Sequence, residues 1–337
     1  MSDSKHEVSQ TENGAPIKRS KKRACINHCK RFWWLHLIIF CCITVLVVCL
    51  VIFVGVPNIG QSKVNAAKLE IQGVNVLESK PDSYLMQINS TIETDGTVHA
   101  DIDPFEGKMY LDDVENAPAF ATLQFPATNA DKHQTVNISQ PVKVDDLAAF
   151  KQFNIAFFQQ QNLTVKISGK TKIQPAGLSR KYDVDFTKYQ TINGLNLLKG
   201  TKVTNAKVNL TALTGENFKG IAEITNPSHF TLDLGNVTFA NFAAERNVGN
   251  LTINNLLLVP GLNRVNISAS LNQTGVLSAL NLKPACETGV VPFKLLGLDV
   301  QNNGQQIPYF LAALSSANQT VDINIAEILG LTVPACH

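Results

Sequence analysis

Two pairs of carboxylates in the sequence have a spacing that could hold a metal ion or supply an acid and a base. Asp101 and Asp103 are two residues apart, as are Asp183 and Asp185. Residues at positions i and i+2 of a strand point to the same face, so each pair would present its oxygens together. A nucleotide-sugar transferase could hold a metal ion with such a pair, and a glycosidase could use two neighbouring acids.

The remaining candidate residues form no recognisable catalytic motif. His99, His133, His229 and His337 lack the paired spacing of a metal site. The sequence also has neither a G-x-S-x-G nucleophile elbow nor a glycine loop for phosphate. The carboxylate pairs therefore indicate half-solvated strands. We predict a protein that is not an enzyme, with no catalytic residue, metal ligand or cofactor.

The segment CINHC places two cysteines and a histidine beside basic residues. One such cluster without a second pair of ligands is weak support for zinc. Cysteines next to a membrane span are often S-acylated. Cys25 and Cys29 are therefore predicted to be acylated or unmodified, and not to bind a metal.

The segment DDLAAFKQFNIAFFQQQ, residues 145–161, is predicted to form a helix that Asp145 can cap. Its apolar residues recur at helical spacing and share one face. This face either closes one end of a β-sandwich as core or lines a groove for acyl chains. The candidate residues of this apolar-ligand face are Leu147, Phe150, Phe153, Phe157 and Phe158.

An uncharged stretch from Leu35 to Val56 is long enough to cross a membrane. About 22 helical residues at 1.5 Å each span roughly 33 Å. Trp33 and Trp34 lie where aromatic side chains favour the membrane interface. The apolar core is longer than that of a cleavable signal peptide, and Pro57 follows it in place of a small-residue cleavage site. Residues 32–56 are therefore predicted to be a retained transmembrane helix.

Charge predicts the orientation of this helix. Residues 1–56 contain eight Lys or Arg and three Asp or Glu, a net charge of +5. The whole chain has a net charge of +2, which leaves −3 for residues 57–337. The positive-inside rule places the N-terminus in the cytosol and the remainder in a lumen or outside the cell, a single-pass type II topology. Residues 1–31 are predicted to be a disordered basic tail, whose cations either attract anionic membrane lipids or only set the topology.

Possible glycosylation sites follow the same division, because the pattern Asn-x-Ser/Thr occurs only after the span. Two cysteines, Cys286 and Cys336, also lie beyond it, and an oxidising lumen would favour a disulfide between them. The negative charge and the luminal location argue against nucleic acid as a partner. The predicted glycosylation sites are Asn89, Asn137, Asn162, Asn209, Asn236, Asn250, Asn266, Asn272 and Asn318.

The rest of the chain consists of short segments that alternate with period two and are rich in Val, Ile, Thr and Phe. We predict a mainly β fold of tandem antiparallel β-sandwiches with short helices, at residues 57–192 and 193–337, after one transmembrane helix. Similar segments indicate that the two halves are copies, with a disulfide-tied insertion in the second. The matched pairs are 135–139 with 264–268, 100–111 with 232–242, and 163–167 with 319–325.

Three segments carry a resemblance to a known family: VNISQPVKVDDLAAF, TNPSHFTLDLGNVTF and LVPGLNRVNIS. With the N-terminal anchor, they resemble fungal single-pass membrane proteins whose domain of unknown function is related to the group-two late-embryogenesis-abundant fold. The resemblance implies an antiparallel β-sandwich with an associated helix, often in the vacuolar lumen. It also implies lipid binding or transfer through a hydrophobic groove, without defined catalytic residues.

The leading functional hypothesis is a non-enzymatic membrane protein whose luminal sandwiches bind a lipid or another apolar ligand. The expected location is the vacuolar membrane, with the plasma membrane or another secretory membrane as the alternative. A second hypothesis is a scaffold that recruits luminal or membrane protein partners. A glycan-acting enzyme is the third hypothesis and rests on the carboxylate pairs alone.

Overall fold

A computed structural model describes residues 21–112, 117–212, 214–332 and 336, with side chains from Phe32 onward. The protein is mainly β, with 51% strand and 25% helix, which confirms the predicted fold class. It divides into two compact units, Met1–Asn58 and Ile59–His337.

The first unit is helical wherever the structure describes it. Helix α1 spans Lys21–Leu50, and a π-helical turn spans Val51–Gly55. Helix α2, Val56–Ala66, begins in this unit, and its residues from Ile59 onward belong to the second unit. The stretch Phe32–Ala66 is long and apolar enough for a membrane span or a signal sequence.

Two predictions concern the chain before this stretch. A disordered tail is predicted up to residue 31, whereas the structure describes residues 21–31 as helical, with non-helical backbone angles at Phe32 (φ −119°, ψ 20°) before the rest of α1. Residues 1–20 and the side chains of Cys25 and Cys29 lie outside the described part, so their predictions stay untested.

The second unit contains seventeen described strands and five further helices. The strands are β1 Lys68–Leu77, β2 Ser83–Glu93, β3 Ala100–Ile102, β4 Phe105–Leu111, β5 Ala121–Phe125, β6 Thr128–Asn129, β7 His133–Lys143, β8 Asn162–Pro175, β9 Tyr182–Asn193, β10 Lys202–Val208, β11 Phe218–Asn226, β12 Phe230–Ala243, β13 Arg246–Leu258, β14 Gly261–Leu271, β15 Val290–Asn302, β16 Gln305–Gln306 and β17 Gln319–Asn324. The helices are α3 Leu147–Gln159, α4 Gln273–Leu280, α5 Ala285–Thr288, α6 Pro308–Leu314 and α7 Ile325–Leu329.

The described strands form two sheets. The larger sheet has the order β10-β11-β14-β13-β12-β1-β2-β7, with β15 paired to β12, and β16 and β17 paired to β15. The smaller sheet has the order β5-β4-β8-β3-β6, with β9 paired to β8. The smaller sheet comes entirely from the first half of the chain, whereas the larger sheet takes strands from both halves.

Strand pairing repeats between the halves, which supports the predicted duplication. In the first half β2 lies between β1 and β7, while β4 and β8 link β5 to β9. In the second half β11 lies between β10 and β14, while β12 and β15 link β13 to β17. A helix follows the last strand of each such group of three: α3 follows β7, and α4 follows β14.

The repeat corrects one predicted match. Residues 163–167 lie in β8, whose counterpart by pairing is β15, whereas residues 319–325 lie mainly in β17. Alternating five-residue patterns are too alike to distinguish neighbouring strands, because every half-buried strand has the same period. The second half has α6 between β15 and β17, and α4 together with α5, the helix that contains Cys286, occupies the place of α3.

One pair of strands departs from the predicted antiparallel pattern. β1 and β12 run parallel, with Val74 opposite Phe230 and Val76 opposite Leu232. This pair continues the larger sheet from one half into the other. The predicted boundary at residues 192 and 193 falls at the end of β9, and both halves belong to one compact unit.

Helix α2 is fastened to the first half at its C-terminal end. Lys188 Nζ donates hydrogen bonds to the carbonyl oxygens of Val64 (2.8 Å), Asn65 (3.1 Å) and Ala67, and thus satisfies acceptors that a helix end leaves free. Burial lowers the pKa of Lys188. The Gln61 amide forms two 2.8 Å hydrogen bonds with the backbone of Asp185.

The predicted disulfide is present in the structure. Cys286 and Cys336 are bonded, with Cα atoms 5.3 Å apart and a sequence separation of 50. Cys286 is buried in α5, so the bond holds the end of the chain against the helices that precede β15.

Replacing both bonded cysteines, Cys286→Ser with Cys336→Ser, is expected to lower the free energy of unfolding by about 4 kcal/mol. The chain-entropy model gives this value for a loop of this length. Urea unfolding of the purified full chain measures it. Reductant should weaken the unsubstituted protein and leave the double variant unchanged, and an equal response of the two proteins would contradict the prediction.

Gly235→Ala is expected to cost about 3 kcal/mol of folding free energy or more, compared with about 1–2 kcal/mol for Gly261→Ala. Both glycines have a left-handed backbone, with φ of +75° and +88°. A Cβ atom on Gly235 would lie 2.4 Å from the backbone oxygen of Gln301, whereas a Cβ on Gly261 meets open space. Denaturant unfolding compares the two variants, and equal losses would show that the close approach to Gln301 is unimportant.

Candidate functional site

Three of the four paired carboxylates form surface ion pairs, and the fourth, Asp101, is exposed. Asp103 contacts Lys181 at 2.7 Å, while Asp183 and Asp185 each lie 3.9 Å from a lysine directly opposite on β8. Within residues 21–112, 117–212, 214–332 and 336, no cluster of three or more His, Cys, Asp or Glu residues could hold a metal ion. Exposed pairs of this kind contribute little to stability and offer no enclosed site for chemistry.

The histidines are dispersed over the surface. His99 lies 3.4 Å from Asp131, and His133 lies 4.0 Å from Glu93. His229 is exposed in the turn before β12, and His337 lies outside the described residues. The structure brings none of the described histidines into a shared site.

Helix α3 buries its aromatic face in the core that the two halves share. Asp146 caps its start, where the sequence indicated Asp145, and accepts a 2.9 Å hydrogen bond from Ala149 N. Phe150 stacks on Tyr84 of the first half, with ring centroids 5.3 Å apart, and packs against Tyr309 of the second half at 4.7 Å. Desolvation in this cluster raises the pKa of both tyrosines well above the usual range.

The predicted apolar-ligand face is thus mainly core. Phe150, Phe153, Phe157 and Phe158 are buried, whereas Leu147 is 39% exposed and does not share their surroundings. Leu147 is the first helical residue and lies where α3 emerges from the core, so the helical period alone could not place it.

Two apolar cavities nevertheless adjoin this face. Phe150, Phe153 and Phe157 border a cavity of about 50 Å³ that is lined mainly by the first half. Phe157 and Phe158 border a cavity of about 70 Å³ that we call the second-half cavity. Its walls come from α3, α6 and seven strands, β10 to β15 and β17, and include Ala222, Asn241, Leu256, Leu295 and Gln319.

Two side chains in the second-half cavity have unsatisfied polar atoms. Asn241 Oδ1 and Gln319 Nε2 are buried without a hydrogen-bond partner among the described residues. The two residues are only 2% and 5% exposed. By contrast, Asn154 in the same wall donates a 2.8 Å hydrogen bond to the carbonyl oxygen of Phe150. Buried polar groups are normally paired, so these two atoms indicate a missing partner.

Strand register brings these two residues to one face. Asn241 of β12 lies opposite Leu295 of β15, and Leu295 lies opposite Gln319 of β17. Directly opposite residues share a face of the sheet, so both amides flank Leu295 inside the cavity. Asn241 continues the inward positions of Val237 and Phe239 on β12, and sequence reasoning missed it because a polar residue at such a position does not by itself indicate burial.

The described lining of the second-half cavity is uncharged, and two of its strands are edge strands of the larger sheet. Among the described residues, its lining includes no Asp, Glu, Lys, Arg or His. β10 pairs with β11 alone and β17 with β15 alone, so no described ladder joins these two edge strands. Val203 of β10 and Val321 of β17 both line the cavity. The seam between β10 and β17 is therefore a side of the cavity that backbone hydrogen bonds do not close.

A further cavity, of about 80 Å³, lies in the first half beside the end of α2. Gly60 and Val64 of α2 form one wall, and Phe105, Phe125 and Phe186 form another. Lys63 and Asp95 form an ion pair at its edge, and the hydrogen bond from Lys63 lowers the pKa of the Asp95 carboxyl to about 2. This site has a charged edge, unlike the second-half cavity.

The predicted glycosylation sites share one structural property, because all nine asparagines are exposed. Several other asparagines are buried and hydrogen-bonded. Asn226, which Pro227 follows, accepts from the backbone and hydroxyl of Ser228 at 2.9 and 2.6 Å and donates to Phe230 O at 2.7 Å. Whether the nine exposed asparagines carry glycans stays a prediction.

Comparison with known proteins gives a family match for part of the chain. Residues 118–241, just over a third of the chain, match a family described as a protein of unknown function, DUF3712. The finer predicted relation, to fungal membrane proteins and the late-embryogenesis-abundant fold, is not tested by this match. No curated protein matches the sequence.

Solved structures give weak matches. The Northeast Structural Genomics Consortium target SoR45 is 10% identical with a TM-score of 0.22, over 38% of this chain and 85% of that one. A glycosyl hydrolase family 2 member from Bacteroides cellulosilyticus is 10% identical with a TM-score of 0.20, over 42% of this chain and 15% of the hydrolase. The sporulation control protein Spo0M from Bacillus subtilis is 12% identical with a TM-score of 0.21, over 66% and 96%. Scores this low support no conclusion about fold or function.

Proposed function

We propose that this protein is a non-enzymatic, membrane-anchored protein that binds a lipid or another apolar ligand in the second-half cavity. The observation that carries the proposal is the cavity wall, which is apolar and uncharged and has a seam between β10 and β17. Ligand sites are typically concave and apolar with a few polar groups. The predicted relation to the late-embryogenesis-abundant fold suggests the same kind of ligand.

Cavity size sets the scale of the ligand. An engineered cavity of roughly 150 Å³ binds benzene, and the second-half cavity has about half that volume, at about 70 Å³. The cavity in this form accepts a short alkyl segment. Binding a whole acyl chain requires the walls to move apart or the chain to extend through the seam.

The proposed location is a secretory-pathway membrane, with the vacuolar membrane first and the plasma membrane second. The basic residues before the span support a cytosolic N-terminus. A disulfide and nine exposed glycosylation motifs beyond the span support an oxidising lumen.

A scaffold that recruits protein partners is the second candidate, and one observation favours it. The β13–β14 turn exposes Leu257, Val259 and Leu262. Asn263 holds this turn through hydrogen bonds of 2.8 Å from Val259 N and of 2.8 Å and 3.1 Å to the oxygens of Val259 and Gly261. A rigid, exposed apolar turn is a feature of interaction surfaces.

Ala222→Leu is expected to reduce the amount of apolar ligand that co-purifies with the full chain. Ala222 is buried in the cavity wall, and the three added carbon atoms would occupy most of the space. The purified protein is extracted with solvent and analysed by mass spectrometry. Ala148→Leu, on the exposed side of α3, makes the same chemical change outside the cavity and should leave the ligand in place.

Thermal unfolding of both variants checks that each is folded. Absence of any ligand in the unsubstituted protein, or equal ligand in Ala222→Leu and Ala148→Leu, would contradict binding in this cavity. A stoichiometric protein that co-purifies and is lost on Leu262→Asp would instead favour the scaffold.

The proposed topology predicts that protease added to sealed vesicles removes an N-terminal tag and spares a C-terminal tag. Glycosidase treatment should lower the apparent mass of the protected product, because the exposed asparagines lie on the luminal side. Gel analysis of the doubly tagged chain measures both effects. Loss of the C-terminal tag, or a mature protein without its N-terminal tag, would overturn the type II anchor.

A further inference from the structure

We infer that the second-half cavity selects a neutral amphiphile, whose polar group is held by Asn241 Oδ1 and Gln319 Nε2. This inference rests on the proposed function and specifies the chemical class of the ligand. Its basis is the coincidence of a cavity with two buried amides that lack hydrogen-bond partners among the described residues.

The two amides determine which hydrogen bonds the polar group of the ligand must donate and accept. Asn241 presents an acceptor and Gln319 presents a donor, so the ligand has to donate to one and accept from the other. A hydroxyl or an amide does both, and a hydroxyl fits either orientation of the two side chains. Strands separated by about 4.8 Å place the Cα atoms of these residues roughly 10 Å apart, across β15. Both residues line the cavity on either side of Leu295, so a ligand that covers Leu295 lies between the two amides.

The absence of charged residues from the described cavity lining excludes an ionised head group. A carboxylate or an ammonium transferred into an apolar site needs a counter-charge, and the described lining supplies none. Asn241 Oδ1 would also repel a carboxylate oxygen. A fatty alcohol, or the hydroxyl end of a neutral lipid, satisfies both requirements, whereas an ionised fatty acid does not.

Ordered water is the simplest alternative occupant of the cavity. About 70 Å³ is enough space for several water molecules, since one needs roughly 10–15 Å³. The cavity lining is mostly Leu, Ile, Val, Phe and Ala side chains, however. Its other polar residues are Asn154, Thr201 and Thr320, of which Asn154 and Thr201 already donate to Phe150 O and Leu198 O. Water favours sites with two to four polar partners each. An amphiphile covers the apolar wall and the amides together.

Three probes with one six-carbon chain test the inference on the purified full chain: 1-hexanol, hexanoate at neutral pH and 1-chlorohexane. Binding is measured as the shift of the thermal unfolding midpoint with probe concentration. Ala222→Leu, whose cavity is filled, gives the baseline for effects of the probes on the detergent and on the rest of the protein. We expect 1-hexanol to bind about tenfold more tightly than 1-chlorohexane, the ratio that one hydrogen bond supplies. Hexanoate should bind most weakly.

Asn241→Leu is the decisive variant because leucine has nearly the same shape without the polar atoms. Its unfolding midpoint without probe should be equal or higher, since a buried unpaired acceptor is removed. Its preference for 1-hexanol over 1-chlorohexane should disappear. Asn302→Leu is the matched control, since Asn302 is buried outside the cavity and donates to Asp233 O at 3.4 Å. It should lower the midpoint and retain the preference.

The outcomes separate the two proposals. If none of the probes exceeds the Ala222→Leu baseline, the proposed function fails. If 1-chlorohexane equals 1-hexanol in the unsubstituted protein, or if Asn241→Leu keeps the preference, the cavity binds apolar molecules without polar selection and the inference is overturned. An absence of polar selection is also expected if the amides hold only ordered water.

Discussion

The pairing of β1 with β12 joins the two halves of the protein into one unit. Three parallel residue pairs extend a single sheet across both halves. The aromatic residues of α3 fill the space beside this junction and contact Tyr84 on one side and Tyr309 on the other. A cavity in either half adjoins α3, so the same helix contributes to the wall of each.

This arrangement explains why the Phe-rich helix is both core and cavity wall. A helix held between two β-structures is buried on more than one side, as α3 is, and close packing there fixes its side chains. The packing is incomplete where the aromatic rings meet the strands of the second half. The two possibilities left open by the sequence, core and ligand groove, are therefore descriptions of different sides of one element.

Buried amides show where packing is complete and where it is not. Asn226 and Asn263 each make several hydrogen bonds inside turns, and Asn217 pairs with the backbone of Leu271 in both directions. These groups repay their desolvation and hold the turns rigid. Asn241 and Gln319 are equally buried and lack such partners among the described residues. Among the described buried side-chain atoms that lack a hydrogen-bond partner, these two alone line the second-half cavity.

The sequence was sufficient to predict elements with strong local signals. Four predictions of this kind agree with the structure. They are a long apolar helix in the uncharged stretch, a disulfide between Cys286 and Cys336, alternating strands, and a capped Phe-rich helix. The parallel pairing of β1 with β12 depends on contacts between distant strands. Period-two alternation contains no information about which strand is the neighbour, so this pairing could not be inferred. Asn241 continues the inward positions of Val237 and Phe239, but its polar side chain gave no signal of burial.

The two copies of the fold have diverged at equivalent turns, and this divergence bears on function. After β2, Asp95 accepts hydrogen bonds from the backbone and hydroxyl of Thr97, as Asn226 does from Ser228 after β11. The carboxylate of Asp95 is exposed and also binds Lys63 of α2, whereas the neutral amide of Asn226 is buried and turns inward to Phe230. One copy thus uses its turn to hold the helix that follows the predicted span. The other copy keeps its turn uncharged, as it does the lining of its cavity.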